Sequence, residues 1–217
     1  MSQESQIHQV KLDISQIECD RLWQFLSEDE RSRADKFKRE HLKRNFVAAR
    51  GNLREILARY LACEPNKIVF GYGDRGKPYV EGFDRVIHFN LAHSQDLAIY
   101  VISGDREVGI DLEYINFECN VEAIAKRYFL PSEQKLMERL SDRVDYLAKY
   151  LAFYRAWTLK EAYGKATGQG IANILESLDV SPLIELPIGE TLLINGWILQ
   201  ALDTQPDYCA ALCVSVS

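Results

Sequence analysis

Two carboxylates stand one pleat apart in the segment Val108–Tyr114, at Asp111 and Glu113. Apolar residues alternate with Gly109 and the two acids, which predicts a strand that buries one face and presents both carboxylates on the other. Carboxylate oxygens beside a glycine, which lets a ligand approach closely, form half of a site for a hard cation such as Mg²⁺. Because charged strand faces are common, this segment alone favours an ordinary exposed acidic face instead.

A second group of side chains lies about fifty residues further on, where Trp157, Glu161 and Lys165 are spaced four apart and share one face of a predicted helix. The acid and the base could serve an ion site. As a simple salt bridge the pair would contribute only about 0.3–0.5 kcal/mol. Glu133 follows Pro131 and Ser132, which predict the start of another helix, and a carboxylate there often only compensates the helix dipole.

The elements that must position these groups follow from the periodicity of the chain. In the N-terminal part it predicts a strand at 8–14, a short helix at 15–26, a second short helix that starts with Ser27 as its cap, and a long helix at about 44–62. A further strand at 68–70 and a glycine-rich loop at 71–79 follow. The loop carries Lys77 but no helix follows it, so it is not a P-loop.

A segment at 86–94, in which a strand runs into a turn, is predicted to form an antiparallel meander with strands at 96–103 and 108–114, which places His93 near one end of the sheet. Helices are predicted at 121–128, from 131 and at 146–168, and two strands in the tail, at 191–200 and 208–216. The segments 96–103 and 207–215 look alike, and each follows a long helix. We therefore expect an α+β fold of two similar halves, 1–104 and 105–217, each a long helix packed on a small antiparallel sheet.

Composition limits the class of protein. The chain has 217 residues, 47% of them hydrophobic and 27% charged, as in ordinary soluble globular proteins. The start lacks the pattern of a signal peptide and no apolar run approaches the ~20 residues of a membrane span, so we expect a cytoplasmic protein without membrane association. Its 5 cysteines form no C-x-x-C pair, which argues for reduced thiols and against a zinc site.

Charge is unevenly distributed along the chain. The net charge of −6 argues against nucleic-acid binding, yet residues 31–59 contain ten basic residues and three acidic ones. This basic segment indicates either an anionic ligand or partner, or a solvated helix face, and the sequence leaves both open.

Taken in series, the motifs are more specific than any of them alone. Gly109-Ile-Asp111-Leu-Glu113 followed by Trp157-Thr-Leu-Lys160-Glu161-Ala-Tyr-Gly-Lys165 resembles the signature of the 4′-phosphopantetheinyl transferases of the surfactin-synthetase-activating (Sfp) type. Three further segments match family positions in order: Gly76-Lys77-Pro78, Phe89-Asn-Leu-Ala-His93-Ser94 and Phe129-Leu-Pro-Ser-Glu133. Ala92 stands where many members have serine, so Ser94 is expected to replace one hydroxyl contact to the nucleotide.

The resemblance implies Mg²⁺-dependent transfer of the phosphopantetheine arm of coenzyme A to a serine of a carrier protein, with release of adenosine 3′,5′-bisphosphate. It implies that Asp111 and Glu161 bind Mg²⁺, with Glu113 as third ligand or holder of a metal-bound water. Glu133 or Glu161 would accept the serine proton, and the sequence does not distinguish them. Lys165 would pair with a pyrophosphate oxygen and so stabilise charge.

Coenzyme A would be held, by the same resemblance, through Lys77, His93 and Ser94, with Arg50 and Arg31 as further candidates for its phosphates. An acyl or peptidyl carrier protein would be the partner, steered by the basic segment. Whether it serves fatty-acid, polyketide or nonribosomal-peptide synthesis is not determined. We expect the active site to lie in the cleft between the two halves. We also expect the protein to act as a monomer.

Two other functions fit parts of the pattern. Another Mg²⁺-dependent phosphoryl or nucleotidyl transferase would use the same carboxylates with a different donor. A non-enzymatic anion-binding module would use the basic segment alone and would not need Asp111.

Overall fold

The computed structural model describes residues 5–73, 76–84, 86–141 and 146–216. These residues divide into two units. The first contains 1–89 and 93–105, and the second contains 90–92 and 106–217. Gly71–Tyr79, predicted as a loop, includes residues 74 and 75, which lie outside the described residues.

The first unit contains three helices and five strands, one of which, β4, contributes its three central residues to the second unit. The helices are α1 (Gln16–Trp23), α2 (Glu28–Ala34) and α3 (Glu40–Leu61), and a short 3-10 turn covers Pro65–Lys67. The strands are β1 (Gln6–Lys11), β2 (Val69–Tyr72), β3 (Pro78–Glu81), β4 (His88–Ser94) and β5 (Leu97–Ser103). They form a three-stranded sheet of order β1-β5-β4 and a separate β2-β3 hairpin.

The long helix α3 supplies a buried stripe to the core of this unit, including Val47, Leu53 and Leu57. It begins at Glu40, one turn before the predicted start near residue 44, and ends at Leu61. Ala62 adopts a left-handed conformation at its C-terminus, with φ of 52°. The predicted cap of the second short helix is confirmed, since Ser27 forms a capping box with Glu30. The first short helix is also capped, by Ser15, which accepts from the Glu18 backbone N–H.

The second unit contains a four-stranded antiparallel sheet and five helices. The strands are β6 (Val108–Tyr114), β7 (Thr191–Ile194), β8 (Trp197–Leu202) and β9 (Tyr208–Ser215), in the order β6-β9-β8-β7. The helices are α4 (Val121–Tyr128), α5 (Pro131–Ser141), α6 (Tyr146–Thr167), α7 (Ile171–Leu175) and α8 (Ser181–Ile184). The long helix α6 packs against β6 and β9, and its apolar side forms the core of the unit. The prediction of two halves, each a long helix on a small antiparallel sheet, is confirmed.

Strand pairing differs from the predicted meander. β6 does not continue the sheet of β4 and β5 but pairs with β9, from Val108 opposite Val214 to Tyr114 opposite Tyr208. The expectation rested on order along the chain. Pairing depends instead on which apolar strand completes the buried sheet, and here that strand comes from the C-terminal tail.

The tail contains three strands where two were predicted. β7 and β8 form a hairpin whose turn is Asn195-Gly196, with φ of 51° and 80°. Positive φ at both central residues is the type I′ turn that Asn-Gly favours, and this signal in the sequence was overlooked. Strand β3 and the short helices α7 and α8 were also not predicted. Among the described residues, no helix is long and apolar enough to cross a membrane.

Candidate active site

Close packing between β6 and α6 brings the chemistry-bearing residues of the second unit together. A Cβ atom on Gly109 would lie 2.2 Å from the Ala162 carbonyl oxygen and 2.4 Å from the Ala166 backbone nitrogen. Only glycine allows the helix backbone to approach this closely. The face of β6 that carries Gly109 is therefore covered by α6. The prediction of an open acidic face, on which Gly109 would let a ligand approach closely, is wrong. Asp111 and Glu113 share this face of the strand.

Asp111 is a buried carboxylate with one oxygen paired and one free of partners. The residue is 4% exposed. Oδ1 lies 2.6 Å from the Lys165 ammonium nitrogen, and in the described part of the chain Oδ2 has no hydrogen-bond partner. Burial raises the pKa of Asp111, and Lys165 opposes that shift. The predicted Glu161–Lys165 helix pair is replaced by this contact between helix and strand.

Glu161 lies one helical turn before Lys165, and its pKa is raised by burial and by the charges of both acids of β6. Burial raises the pKa of Glu161, Asp111 raises it further, Lys165 lowers it and Glu113 raises it. Three acids and one ammonium therefore form an electrostatically coupled group, which we call the acid cluster: Asp111, Glu113, Glu161 and Lys165. Mutual repulsion among its carboxylates favours binding of an additional cation.

The chemistry of the acid cluster suits a hard cation. Among residues 5–73, 76–84, 86–141 and 146–216, no group of three or more His, Cys, Asp or Glu side chains is already arranged to hold a metal ion. Lys165 neutralises Asp111 instead. The Oδ2 atom of Asp111 is buried and has no partner among the described residues. Its burial costs free energy unless it accepts a hydrogen bond or coordinates a cation.

Glu133, a candidate base, lies in a different, fully enclosed position. Its side chain is 0% exposed, and an oxygen lies 2.8 Å from the Lys160 ammonium nitrogen. The backbone N–H groups of Leu130 and Val180 donate to its two oxygens at 3.0 and 3.1 Å. Because its oxygens already accept from three donors out of contact with solvent, the structure does not support Glu133 as the base. It joins α5 to α6 and to the segment before α8.

Lys160 is a residue whose role the sequence did not indicate beyond its place in the motif. Its side chain is fully buried, and besides Glu133 its ammonium donates to the Leu175 carbonyl at 2.8 Å. Burial lowers the pKa of Lys160, while Glu133 opposes the shift. Apolar residues surround this position along α6, a pattern that would have indicated a buried lysine.

Asn90 is the other residue that the sequence did not single out. It is buried, and its side-chain oxygen accepts a hydrogen bond of 2.9 Å from the Ile110 backbone N–H. That contact satisfies a backbone donor of β6 next to Asp111. A polar residue within the apolar run 86–91 was the available signal.

Three of the predicted nucleotide ligands lie in the first unit. His93 is exposed near the end of β4, and Ser94 is the last residue of that strand. Lys77 is partly buried between Gly76, with φ of 77°, and the start of β3. The acid cluster belongs to the second unit, so the predicted site residues come from both units.

Arg50 and Arg31, by contrast, have structural partners. Arg50 lies 2.6 Å from a carboxylate oxygen of Glu30, and its guanidinium lies over the Phe70 ring. The same glutamate pairs at 2.7 Å with Arg54, which is almost fully buried.

Arg31 donates to the carbonyls of Trp23 and Gln24 at the end of α1. Both Arg31 and Arg50 therefore stabilise the fold of the first unit. The prediction that they bind coenzyme A is not supported.

Comparison with known proteins gives consistent matches over nearly the whole chain. A family model described as 4′-phosphopantetheinyl transferase superfamily matches residues 107–213, and one described as 4′-phosphopantetheinyl transferase, N-terminal, matches residues 13–105. The 4′-phosphopantetheinyl transferase HetI of Nostoc sp. is 42% identical over 185 residues, 83% of this chain and 75% of the relative. The 4′-phosphopantetheinyl transferase Sfp of Bacillus subtilis is 26% identical over 210 residues, 93% and 88% of the two chains.

Proposed function

The chain belongs to the 4′-phosphopantetheinyl transferase superfamily and is a transferase, and from this premise we propose that it uses Mg²⁺ and coenzyme A. The phosphopantetheine arm passes to a serine of an acyl or peptidyl carrier protein. The serine oxygen forms a bond to the β-phosphorus, the bond from that phosphorus to the bridging oxygen breaks, and adenosine 3′,5′-bisphosphate leaves.

The observation that carries this proposal is the state of Asp111 within the acid cluster. A buried carboxylate that has one lysine partner at 2.6 Å and an oxygen without a partner among the described residues is suited to a second cation. We assign Asp111, Glu113 and Glu161 as the groups that hold Mg²⁺. The ion supplies charge neutralisation of the pyrophosphate and orientation of the leaving group.

Glu161 is the proposed proton acceptor. Burial and the neighbouring acids raise the pKa of Glu161, and a Mg²⁺ ion held by the same carboxylate would lower it again. The position of Glu161 within the acid cluster, and not its pKa, therefore carries this assignment. The serine proton passes to Glu161 directly or through one water. Glu133 is a weaker candidate because Lys160 and two backbone N–H groups already occupy its oxygens.

Lys165 is the proposed electrostatic partner of the pyrophosphate. Its ammonium is partly exposed, with 30% of the side chain accessible, whereas Asp111 is 6% accessible. An ammonium at the surface edge of the cluster can keep its contact with Asp111 and also donate to a phosphoryl oxygen. It stabilises developing negative charge and transfers no proton.

Lys77, His93 and Ser94 are the proposed contacts to the nucleotide part of coenzyme A. All three stand in segments whose sequence resembles family motifs, and they lie on β4 and in the turn before β3 of the first unit. Exposed basic residues of the segment 31–59, such as Arg33, Lys36 and Lys38, suit an acidic carrier protein, because opposite charge accelerates association.

Mass spectrometry of an apo carrier protein tests the proposal. The carrier is incubated with the protein, coenzyme A and Mg²⁺, and parallel reactions contain EDTA or the Asp111→Ala variant. We expect the carrier to gain one phosphopantetheine on serine and adenosine 3′,5′-bisphosphate to appear, with neither product in the two parallel reactions. Asp35→Ala, a change at an exposed aspartate that pairs with Lys43, serves as the matched control and should behave as the wild type.

Two results would contradict the proposal. Full modification of the carrier protein in the presence of EDTA would show that the reaction does not need Mg²⁺. Transfer of a different group, with no adenosine 3′,5′-bisphosphate released, would indicate another phosphoryl or nucleotidyl transferase using the same acids.

A further inference from the structure

A cavity of about 500 Å³ lies in the second unit, beside the N-terminal half of α6. Its walls are mainly apolar and come from α5, α6, α8 and the strands β8 and β9. They include Leu140, Leu151, Ala152, Ile184, Ile188 and Cys209. The volume falls within the range of small-molecule sites. None of the acid-cluster residues lines it.

Among the described residues that line the cavity, Arg155 alone is positively charged. It follows Ala148, Leu151 and Ala152 at intervals of seven, four and three along α6, so all four share one face of the helix. Nη1 donates to the carbonyls of Ile184 and Leu186 at 2.7 and 2.8 Å. Across the described ranges, Nε and Nη2 have no protein partner and no carboxylate lies within ion-pair distance of this guanidinium.

Among the described residues, no carboxylate forms an ion pair with this cation, although Glu185 and Asp203 also line the cavity. Burial lowers the pKa of Arg155, and the opposing influence comes from Cys209. Burial also raises the pKa of the Cys209 thiol to about 11, so the thiol is neutral at physiological pH. A half-buried guanidinium with three N–H donors that no protein group accepts therefore lines a mainly apolar cavity, where an anion can accept from them.

The charge at the rim limits which anion fits. Glu185 and Asp203 also line the cavity, at exposed positions, and Glu185 pairs with Arg139. Two carboxylates at the entrance repel an incoming phosphate ester with two or more charges more strongly than a single carboxylate. The apolar walls, in turn, favour a ligand with a hydrocarbon body.

We propose that this cavity binds an aliphatic carboxylate, whose head group pairs with Arg155 and whose chain lies along the apolar wall. A purely structural role of Arg155, holding the segment 184–186 against α6, accounts for the two carbonyl contacts. It does not use the three remaining N–H donors of this cavity-lining residue. The proposal is independent of the transferase reaction and is tested by binding alone.

Titration calorimetry with octanoate and with octan-1-ol separates the two roles. The two probes share a hydrocarbon chain and differ in charge, and inorganic phosphate serves as a third probe. We expect octanoate to bind about ten- to a hundredfold more tightly than the alcohol, as for hydrogen bonds to a charged group. Phosphate should show no binding at this site.

Three variants assign the binding to the cavity. Arg155→Met should remove the preference for octanoate over the alcohol. Ala148→Phe fills the cavity while leaving the carbonyl contacts of Arg155 intact, and should weaken both probes at least tenfold. Lys149→Gln removes a cation of α6 that pairs with Glu122, neither of which lines the cavity, and should change neither affinity. Circular dichroism and thermal unfolding establish that each variant is folded.

Equal affinity for octanoate and octan-1-ol would overturn the proposal. So would octanoate binding that survives Ala148→Phe in a folded protein, or the absence of octanoate binding to the wild type.

Discussion

The Lys165 ammonium nitrogen lies 2.6 Å from Oδ1 of Asp111, although 54 residues separate the two in sequence. The contact joins α6 to β6 and places an ammonium beside the carboxylate whose second oxygen has no partner among the described residues. The reactive group of the second unit is thus assembled from one strand and one helix. The predictions that follow test this assembly and the contacts that hold it.

Replacing Asp111 with Asn should lower the rate of carrier modification at least about a hundredfold, a loss typical for removal of one preorganised charged group. The variant keeps the shape of the side chain but removes the charge that Lys165 and a cation would share. The measurement is kcat/KM with saturating Mg²⁺. A rate within threefold of the wild type would exclude Asp111 from the chemistry, and Asp35→Asn is the control at an exposed site.

Replacing Glu133 with Leu should destabilise the protein by about 3–5 kcal/mol, because Lys160 would be left charged and fully buried. The double variant Glu133→Leu with Lys160→Met should recover most of that loss, since both charges are then absent. Denaturant unfolding measures both. If Glu133 has a structural role, the kcat of the folded double variant should also lie within about tenfold of the wild-type value. A loss of activity of a thousandfold or more with full stability would instead identify Glu133 as the base.

Replacing Gly109 with Ala should prevent α6 from packing on β6, because the new Cβ would lie 2.2 Å from the Ala162 carbonyl oxygen and 2.4 Å from the Ala166 nitrogen. Both neighbours are backbone atoms and cannot rotate away. We expect loss of cooperative unfolding or a large drop in melting temperature. Gly164→Ala on the same helix meets its nearest atom at 3.5 Å and should be neutral or stabilising by up to about 1 kcal/mol. Equal tolerance of both changes would contradict the packing.

The stability of the first unit should depend on the protonation of His8. Burial, aided by Arg59, lowers the pKa of His8 from its ordinary value of 6.5, and its ring nitrogen lies 3.0 Å from the Tyr60 hydroxyl. The unfolded chain therefore takes up the proton first as the pH falls. Stability from this group is complete above about pH 6.5 and is lost as the pH decreases toward the folded-state pKa.

Denaturation midpoints at pH ~7.5 and ~5.5 measure this dependence. The His8→Gln variant should lose less stability between the two conditions than the wild type. His41→Gln, at an exposed position of α3, should lose as much as the wild type. An identical decrease in all three proteins would contradict a role for His8.

Local signals in the sequence predicted most of the helices. The apolar stripe of α3, the start of α5 at Pro131 and the end of α6 before Gly168 depend on residues within one or two turns of each other. The antiparallel partner of β6 could not be predicted in this way. It depends on β9, almost a hundred residues further along the chain.

The acids of the candidate site were proposed from the resemblance of their motifs to a known family, but their surroundings were not predicted. Residue type and spacing alone favoured an ordinary acidic strand face and a simple helix salt bridge, and only the series of motifs joined Asp111, Glu113, Glu161 and Lys165 in one chemistry. It also suggested an open acidic face, whereas α6 covers that face and buries Asp111. Spacing within a strand indicates which side chains share a face, but not which element covers it.

The sequence by itself therefore determined the two halves and their long helices, since these depend on local periodicity, and it supplied the candidate residues of the site through their side-chain chemistry. Only the tertiary structure decided which groups are free to react. Glu133 is enclosed with Lys160, Arg50 is paired with Glu30, and Asp111 keeps an oxygen without a partner among the described residues. Burial and pairing arise from contacts between residues that are distant in sequence. Burying an unpaired charge is costly, so a charged side chain with all its partners in place stabilises the fold, whereas one with an unpaired oxygen is a candidate for binding a ligand.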